Sequence, residues 1–247
     1  MSDTDFEQVA NVTTQNKEKP TPKWEVDARL QIKTGLKALK KPLADLISRD
    51  AVEADTRLYI TDFMERVLGY DKYANLTAEY QVKGDWADYG VRIDGNLIAF
   101  IEAKRVNQQL SDKHLKQVQS YAVNEGVDWL ILTNARQWQV YHIKAEGLPI
   151  QTDLVIDIDL IDSAPKEIES SLFYLHCVSM KKKVILDVWK RVEATSEPKI
   201  VNALMSPAVV KEIRLALTKQ TGFKVADAEV LMALKDLIQG HMKVTRP

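Results

Sequence analysis

Glu102 and Lys104 stand two residues apart at the end of Leu97-Ile-Ala-Phe-Ile101, a run in which every residue is apolar. Such a run reads as a strand covered on both faces. Residues two apart on a strand share a face, so an acid and an amine lie side by side at the lip of a hydrophobic core. Neither can be buried there unless it is paired, solvated or bound to a metal. A second acid, Asp88, lies on the other arm of a hairpin whose turn is Asp94-Gly95-Asn96. Asp-Gly is a strong hairpin signal because both turn positions tolerate positive φ. Two carboxylates facing one amine can hold a divalent cation and orient a water beside it.

The elements that must position these groups follow from periodicity. Val26, Leu30, Ile32, Leu36 and Leu39 recur at helical spacing from Trp24 to about Leu39, where Pro42 breaks or restarts the pattern. A second helix is expected from about Ala51 to Leu68, through Val52, Leu58, Tyr59, Phe63 and Val67, with Gly69 as its C-terminal cap. A strand follows near 76–82, then the hairpin over 88–104. Ser111 can cap a helix to about Asn124, with Gly126 past its end. Strands at 129–133 and 137–143 flank Asn134-Ala-Arg, and 154–160 reads as another strand or an extended connector. Helix, three strands, helix, two strands is an α/β order with a mixed sheet, the helix after Lys104 supplying the crossover. Beyond Pro165 the pattern turns helical, over about 166–193, 207–220 and 227–239. The expected organisation is a polar, flexible tail over 1–24, an α/β domain over 25–160 and a helical C-terminal region over 165–247.

The ordered set of motifs resembles the PD-(D/E)XK nuclease superfamily, and more narrowly the N-terminal nuclease domain of type I restriction-enzyme motor subunits. The residues that carry the resemblance are Glu53 in Glu53-Ala-Asp-Thr-Arg57, Asp88 in Ala87-Asp88-Tyr89, Glu102-Ala103-Lys104 and Gln117-Val-Gln-Ser-Tyr121. Leu130-Ile-Leu-Thr-Asn134 and Trp138-Gln-Val-Tyr141 extend it, so that it covers about residues 50–145. Ala87 stands where many relatives have Pro. Glu-x-Lys alone is weakly specific, as Glu197-Pro198-Lys199 shows; with no apolar strand before it and a Pro inside it, that copy reads as a solvated loop.

The resemblance implies a restriction-endonuclease-like core and hydrolysis of DNA phosphodiester bonds with Mg²⁺ or Mn²⁺. Asp88 and Glu102 would be the carboxylate ligands, joined by the Ala103 carbonyl. Lys104 would position the attacking water, and Glu53 would complete the shell through water. It also implies that Gln117 and Tyr121, four apart on one helix face, contact DNA. His114, three residues before Gln117, reads as a surface histidine, Asn134 as a turn residue, and Trp138 and Tyr141 as core or sheet-face aromatics. Lys181-Lys-Lys183 reads as a solvated segment.

Charge is unevenly spread. Residues 165–247 hold 14 Lys and Arg against 9 Asp and Glu, a net of +5, leaving the rest of the chain at 20 against 26, or −6. An acidic first part suits carboxylates gathered around a metal, and a basic second part can lie against phosphates or be a solvated helix surface. The single Cys177 permits no intrachain disulfide. The acidic N-terminus lacks a signal pattern, and no apolar run nears the roughly 18 residues that cross a bilayer, so a cytoplasmic, non-membrane protein is expected.

No Gly-Lys dipeptide occurs, hence no phosphate loop of the ATP-binding kind. That points to a stand-alone nuclease domain without the motor, in bacterial or phage (prophage) restriction, defence or DNA processing. The alternatives are a non-catalytic nucleic-acid-binding module working with a partner translocase, and an assembly module with a vestigial site. A homodimer or higher oligomer is left open.

Overall fold

The computed structural model describes residues 20–83, 85–144 and 150–244. Most of the tail expected over 1–24 therefore lies outside the described residues. Two helices open the fold, α1 (Lys23–Ser48) and α2 (Glu53–Arg66), followed by β1 (Leu76–Val82), β2 (Asp85–Ile93) and β3 (Asn96–Ala103). Helix α3 (Asp112–Glu125) crosses over to β4 (Trp129–Thr133), β5 (Gln137–Lys144) and β6 (Gln151–Asp159). Among the described residues six further helices follow: α4 (Pro165–Leu175), α5 (Cys177–Lys181), α6 (Ile185–Ala194), α7 (Glu197–Leu204), α8 (Pro207–Thr221) and α9 (Asp227–Val244).

The strands form one mixed sheet in the order β1-β2-β3-β4-β5-β6. Every neighbouring pair is antiparallel except β3 and β4, whose parallel pairing is the geometry that α3 serves. The segment 154–160 is thus a sheet strand rather than a connector. Asp94 and Gly95 both take positive φ in the β2–β3 turn, and Gly126 ends α3 in the left-handed conformation. The architecture is α/β and restriction-endonuclease-like: a mixed sheet flanked by helices, with further helices at the C-terminal end.

Strand alternation divides the core. Ala99, Ile101 and Ala103 join α1, α2 and α4–α6 on one face, whereas Phe100 joins Leu115, Val118, Tyr121 and Ala122 of α3 on the other. Phe63 of α2 stacks on the fully buried Trp138 with ring centroids 4.8 Å apart. Several sequence-based expectations are corrected. α1 continues through Pro42, because the ring faces solvent while Leu39, Leu43 and Leu46 keep both flanking turns in the core. Its buried stripe is Ala28, Ile32, Gly35 and Leu39, leaving Val26 and Leu30 exposed. The cause is close helix packing: a Cβ on Gly35 would lie 2.5 Å from the Arg66 carbonyl oxygen. In α2, Val52 and Leu58 are likewise exposed.

The single helix expected over 166–193 is three. His176 is extended, its ring accepting the Val178 N–H as an N-cap, and Lys183 takes positive φ before α6. Ile168, Leu172, Phe173, Met180 and Ile185 of these helices belong to the main core, so the region over 165–247 does not form one separate unit. Glu197-Pro198-Lys199 opens α7 instead of looping, since Pro is tolerated in a first helical turn. Gly35→Ala is expected to cost about 1–3 kcal/mol through overpacking of α1 on α2. Equilibrium denaturation measures this, and an unchanged midpoint would contradict the close approach.

Candidate active site

The β2–β3 ladder ends at Tyr89 opposite Ile101, one pair before Asp88 would face Glu102. There the Asp88 side chain takes over: its Oδ2 accepts the Ala103 backbone N–H at 2.7 Å. Its Oδ1 accepts from an Arg57 guanidinium nitrogen at 3.0 Å. One carboxylate thereby joins β2, β3 and α2. Burial works against the Arg57 charge, but Asp88 outweighs it and holds the guanidinium above its ordinary value.

Glu102 points to the α3 face of the sheet by strand parity with Phe100, and it is 3% exposed. Lys104 Nζ donates to Glu102 Oε1 at 2.5 Å. The other oxygen, Oε2, is buried with no hydrogen-bond partner. Burial pushes the Glu102 carboxyl up to about 7; the Lys104 bond opposes the shift, while the negative charges of Asp88 and Glu53 add to it. Glu53 opens α2, where a carboxylate complements the helix N-terminus. Glu53, Asp88, Glu102 and Lys104 are thus neighbours, drawn from α2, β2 and the end of β3.

The peptide after β3 is fixed from both sides. Lys104 N donates to the Thr133 carbonyl at 2.8 Å. Arg105 pairs with Asp50, and Asn107 donates to Asp50 and to the Ile47 carbonyl. Asn134, a turn residue as expected, accepts the Arg136 and Gln137 N–H groups and donates to the Gln108 carbonyl at 2.9 Å. These ties hold Lys104 in place, which a lysine at a free strand end would not have.

Three further side chains border the site, and of these Glu79 was not singled out in the sequence. Arg57 is four residues after Glu53 and so on its helix face, a signal readable as an i,i+4 pair. Glu79 lies between the β1–β2 pairs Ala78–Tyr89 and Tyr80–Ala87, hence opposite Asp88, with positive φ and 3.9 Å from Arg57. His114, expected at the surface, is half-buried; desolvation, then the Lys104 charge, lowers its pKa. Its ring contacts Gln108 and Ser111. Conversely, Tyr121 is buried in the core beneath α3, so its ring offers little surface to a nucleic acid. Gln117 is on α3, and its side chain lies outside what is described.

The donor set suits a cation. A buried carboxylate oxygen without a partner, close to a second carboxylate, is what a hard, oxygen-seeking ion such as Mg²⁺ relieves. Among the described residues no group of three or more His, Cys, Asp or Glu is disposed as a ligand cluster. The protein side would therefore be Asp88 and Glu102, a number adequate for Mg²⁺, which keeps several waters. The Ala103 carbonyl belongs to the residue whose amide holds Asp88.

Residues 53–152 match the family described as type I restriction enzyme R protein N terminus. The chain is similar to that family over this stretch, which contains every residue of the acidic–lysine site. No curated protein sequence matches. One chain of a solved structure, described as a cryo-EM DrdV–DNA complex, aligns with TM-score 0.35 and 13% identity over 60% of this chain and 96% of that one. That likeness is too remote to assign a residue or a ligand here. Among the described residues no helix is long and apolar enough to cross a membrane.

The Glu102 shift has a consequence for stability. The folded state keeps the Glu102 proton up to about pH 7, whereas an unfolded chain releases it near the ordinary 4.5. The folded state therefore binds more protons in that window, and stability falls as pH rises through it. Glu102→Gln is expected to raise the unfolding free energy by on the order of 1–3 kcal/mol at pH 8 and by little at pH 4. Urea denaturation across that range, without divalent ions, reads the difference; a pH-independent effect would show that Glu102 is not held against its charge.

Proposed function

We infer that this domain is a metal-dependent nuclease that hydrolyses DNA phosphodiester bonds, with Asp88, Glu102 and Lys104 at its centre. One observation carries the reading: the unpaired, buried Glu102 Oε2 beside Asp88 and Lys104, inside the segment that matches the restriction-enzyme family. Phosphodiester hydrolysis needs neutralised phosphate charge, a deprotonated water and a protonated leaving oxygen. A bound Mg²⁺ or Mn²⁺ supplies the first and acidifies water for the second.

The chain's own residues do the rest. Asp88 is held in one orientation by Arg57 and the Ala103 N–H, so it meets a cation without losing rotamer freedom. Glu102 closes the site from below, away from bulk water. Lys104, anchored through its backbone, presents an ammonium whose bond to Glu102 Oε1 uses one of its three hydrogens, so that it can also donate to a water or to a phosphate oxygen. Glu53 adds negative charge at the rim. Gln117 is a proposed DNA contact; the buried Tyr121 supports it by packing under α3. The setting we favour is cytoplasmic restriction, defence or phage DNA processing, with a separate translocase as a candidate partner.

Cleavage of supercoiled plasmid and of single-stranded DNA with Mg²⁺ or Mn²⁺ tests the reading. Wild type is expected to nick, chelation to abolish nicking, and Lys104→Ala to lower the rate about 100-fold or more. Equal activity in the two proteins would misplace the site, and DNA binding without cleavage would favour a non-catalytic module. A second readout needs no turnover. Mg²⁺ at ten times its dissociation constant should stabilise wild type by about 1.4 kcal/mol, and Glu102→Gln should lose that gain.

A further inference from the structure

Two strands change faces beside the site. Leu76 of β1 and Tyr89 and Val91 of β2 pack against the core of α1 and α2. Tyr80, Val82 and Ala87, of the same parity in those strands, pack against the core of α3 instead. Residues of one parity share a face in a regular strand, so regularity fails in both strands at one rung. That rung is Glu79 opposite Asp88, and Glu79 carries the irregularity in its backbone, with a φ of 50°. A non-glycine residue in the left-handed region is strained, and such strain marks sites that use it. Two carboxylates on one rung also repel. Arg57 meets both acids: its Nη1 lies 3.0 Å from Asp88 Oδ1 and 3.9 Å from Glu79 Oε1.

Asp88 Oδ2 accepts the Ala103 N–H at 2.7 Å, so a cation approaching Asp88 meets Oδ1, the oxygen that Arg57 holds. A guanidinium and a dication on one oxygen repel each other, so binding requires Arg57 to turn away. The Arg57 side chain is 33% exposed, and its charge then needs another acid. Glu79 is in reach, 70% exposed, and among the described residues no other cation pairs with it. Glu53 also acts on Arg57, but its charge bears on Glu102 too, where a bound cation would draw it.

We propose that Glu79 is a positioning residue of the acidic–lysine site: it takes over the Arg57 guanidinium when a divalent cation takes Asp88. The proposal rests on the reading of Asp88 as a cation ligand. In the free protein Arg57 supplies the positive charge beside Asp88 and keeps its carboxylate oriented. The transfer is short, because one nitrogen already lies within ion-pair range of both acids. A glycine would suit the backbone of position 79 better, but it would leave β1 with no acid to receive Arg57.

Calorimetric titration of the full chain with Mn²⁺, without DNA, tests the proposal. Glu79→Gln is expected to weaken Mn²⁺ binding about fivefold. Glu79→Gly is expected to weaken it equally while unfolding at no lower urea concentration than wild type. In an Arg57→Gln background, Glu79→Gln is expected to shift the dissociation constant less than about twofold, because the group it acts through is gone. Arg57→Met serves the same cycle if circular dichroism shows that Arg57→Gln does not fold. Wild-type affinity in Glu79→Gln would overturn the proposal. So would a fivefold loss that persists without Arg57, since Glu79 would then be a source of negative charge and nothing more. Asp88→Asn separates these outcomes from the underlying reading and is expected to lose Mn²⁺ binding. If it binds as wild type does, or if wild type binds no Mn²⁺, Asp88 is not a cation ligand and the proposal falls with that reading. Lost binding in Asp88→Asn together with either adverse Glu79 result overturns the proposal alone.

Discussion

A carboxylate kept out of water at the end of a strand is the constraint on which the rest of the structure turns. Removing an ion from water costs several kcal/mol, and one attractive neighbour rarely offsets that in full. Glu102 shows the imbalance: burial pushes its carboxyl up to about 7 despite the Lys104 bond. Such a position exists only because β3 is covered on both faces, by Phe100 against α3 and by Ile101 and Ala103 against α1 and α2. The two-sided core is what makes the acid costly, and its cost is what makes a cation welcome.

Asp88 solves a different problem. Its carboxylate replaces a ladder bond where β2 and β3 part, and its other oxygen takes Arg57. The same contacts that orient the group also occupy it. On the proposed reading, the arginine on this carboxylate would hold the free site together while competing with a cation for charge. Because Arg57 shares a helix face with Glu53 and also reaches toward Glu79, displaced guanidinium charge has acids to turn to. The helix, not the loop between the strands, therefore sets how readily Asp88 is released.

The site was legible in the chain because its determinants are local. Strand parity places Glu102 with Lys104, Asp94-Gly95 fixes the hairpin, and helical spacing joins Glu53 to Arg57. β1 and β4 have the expected bounds for the same reason. What was not legible is set by distant contacts. The buried face of α1 depends on Gly35 meeting the Arg66 carbonyl, which no periodicity of α1 alone encodes. Gln117 and Tyr121 do share a helix face, but spacing cannot tell whether a face turns to solvent or, as for Tyr121, to the sheet. The break at His176 arises from a ring that caps α5 and also contacts Gln31 of α1, 145 residues away.

The two ends of the chain's helical region answer to different demands. α4–α6 bury Ile168, Leu172, Phe173 and Ile185 in the main core and so belong to the machinery that supports the sheet. α8 and α9 bury little, so the sheet does not depend on them.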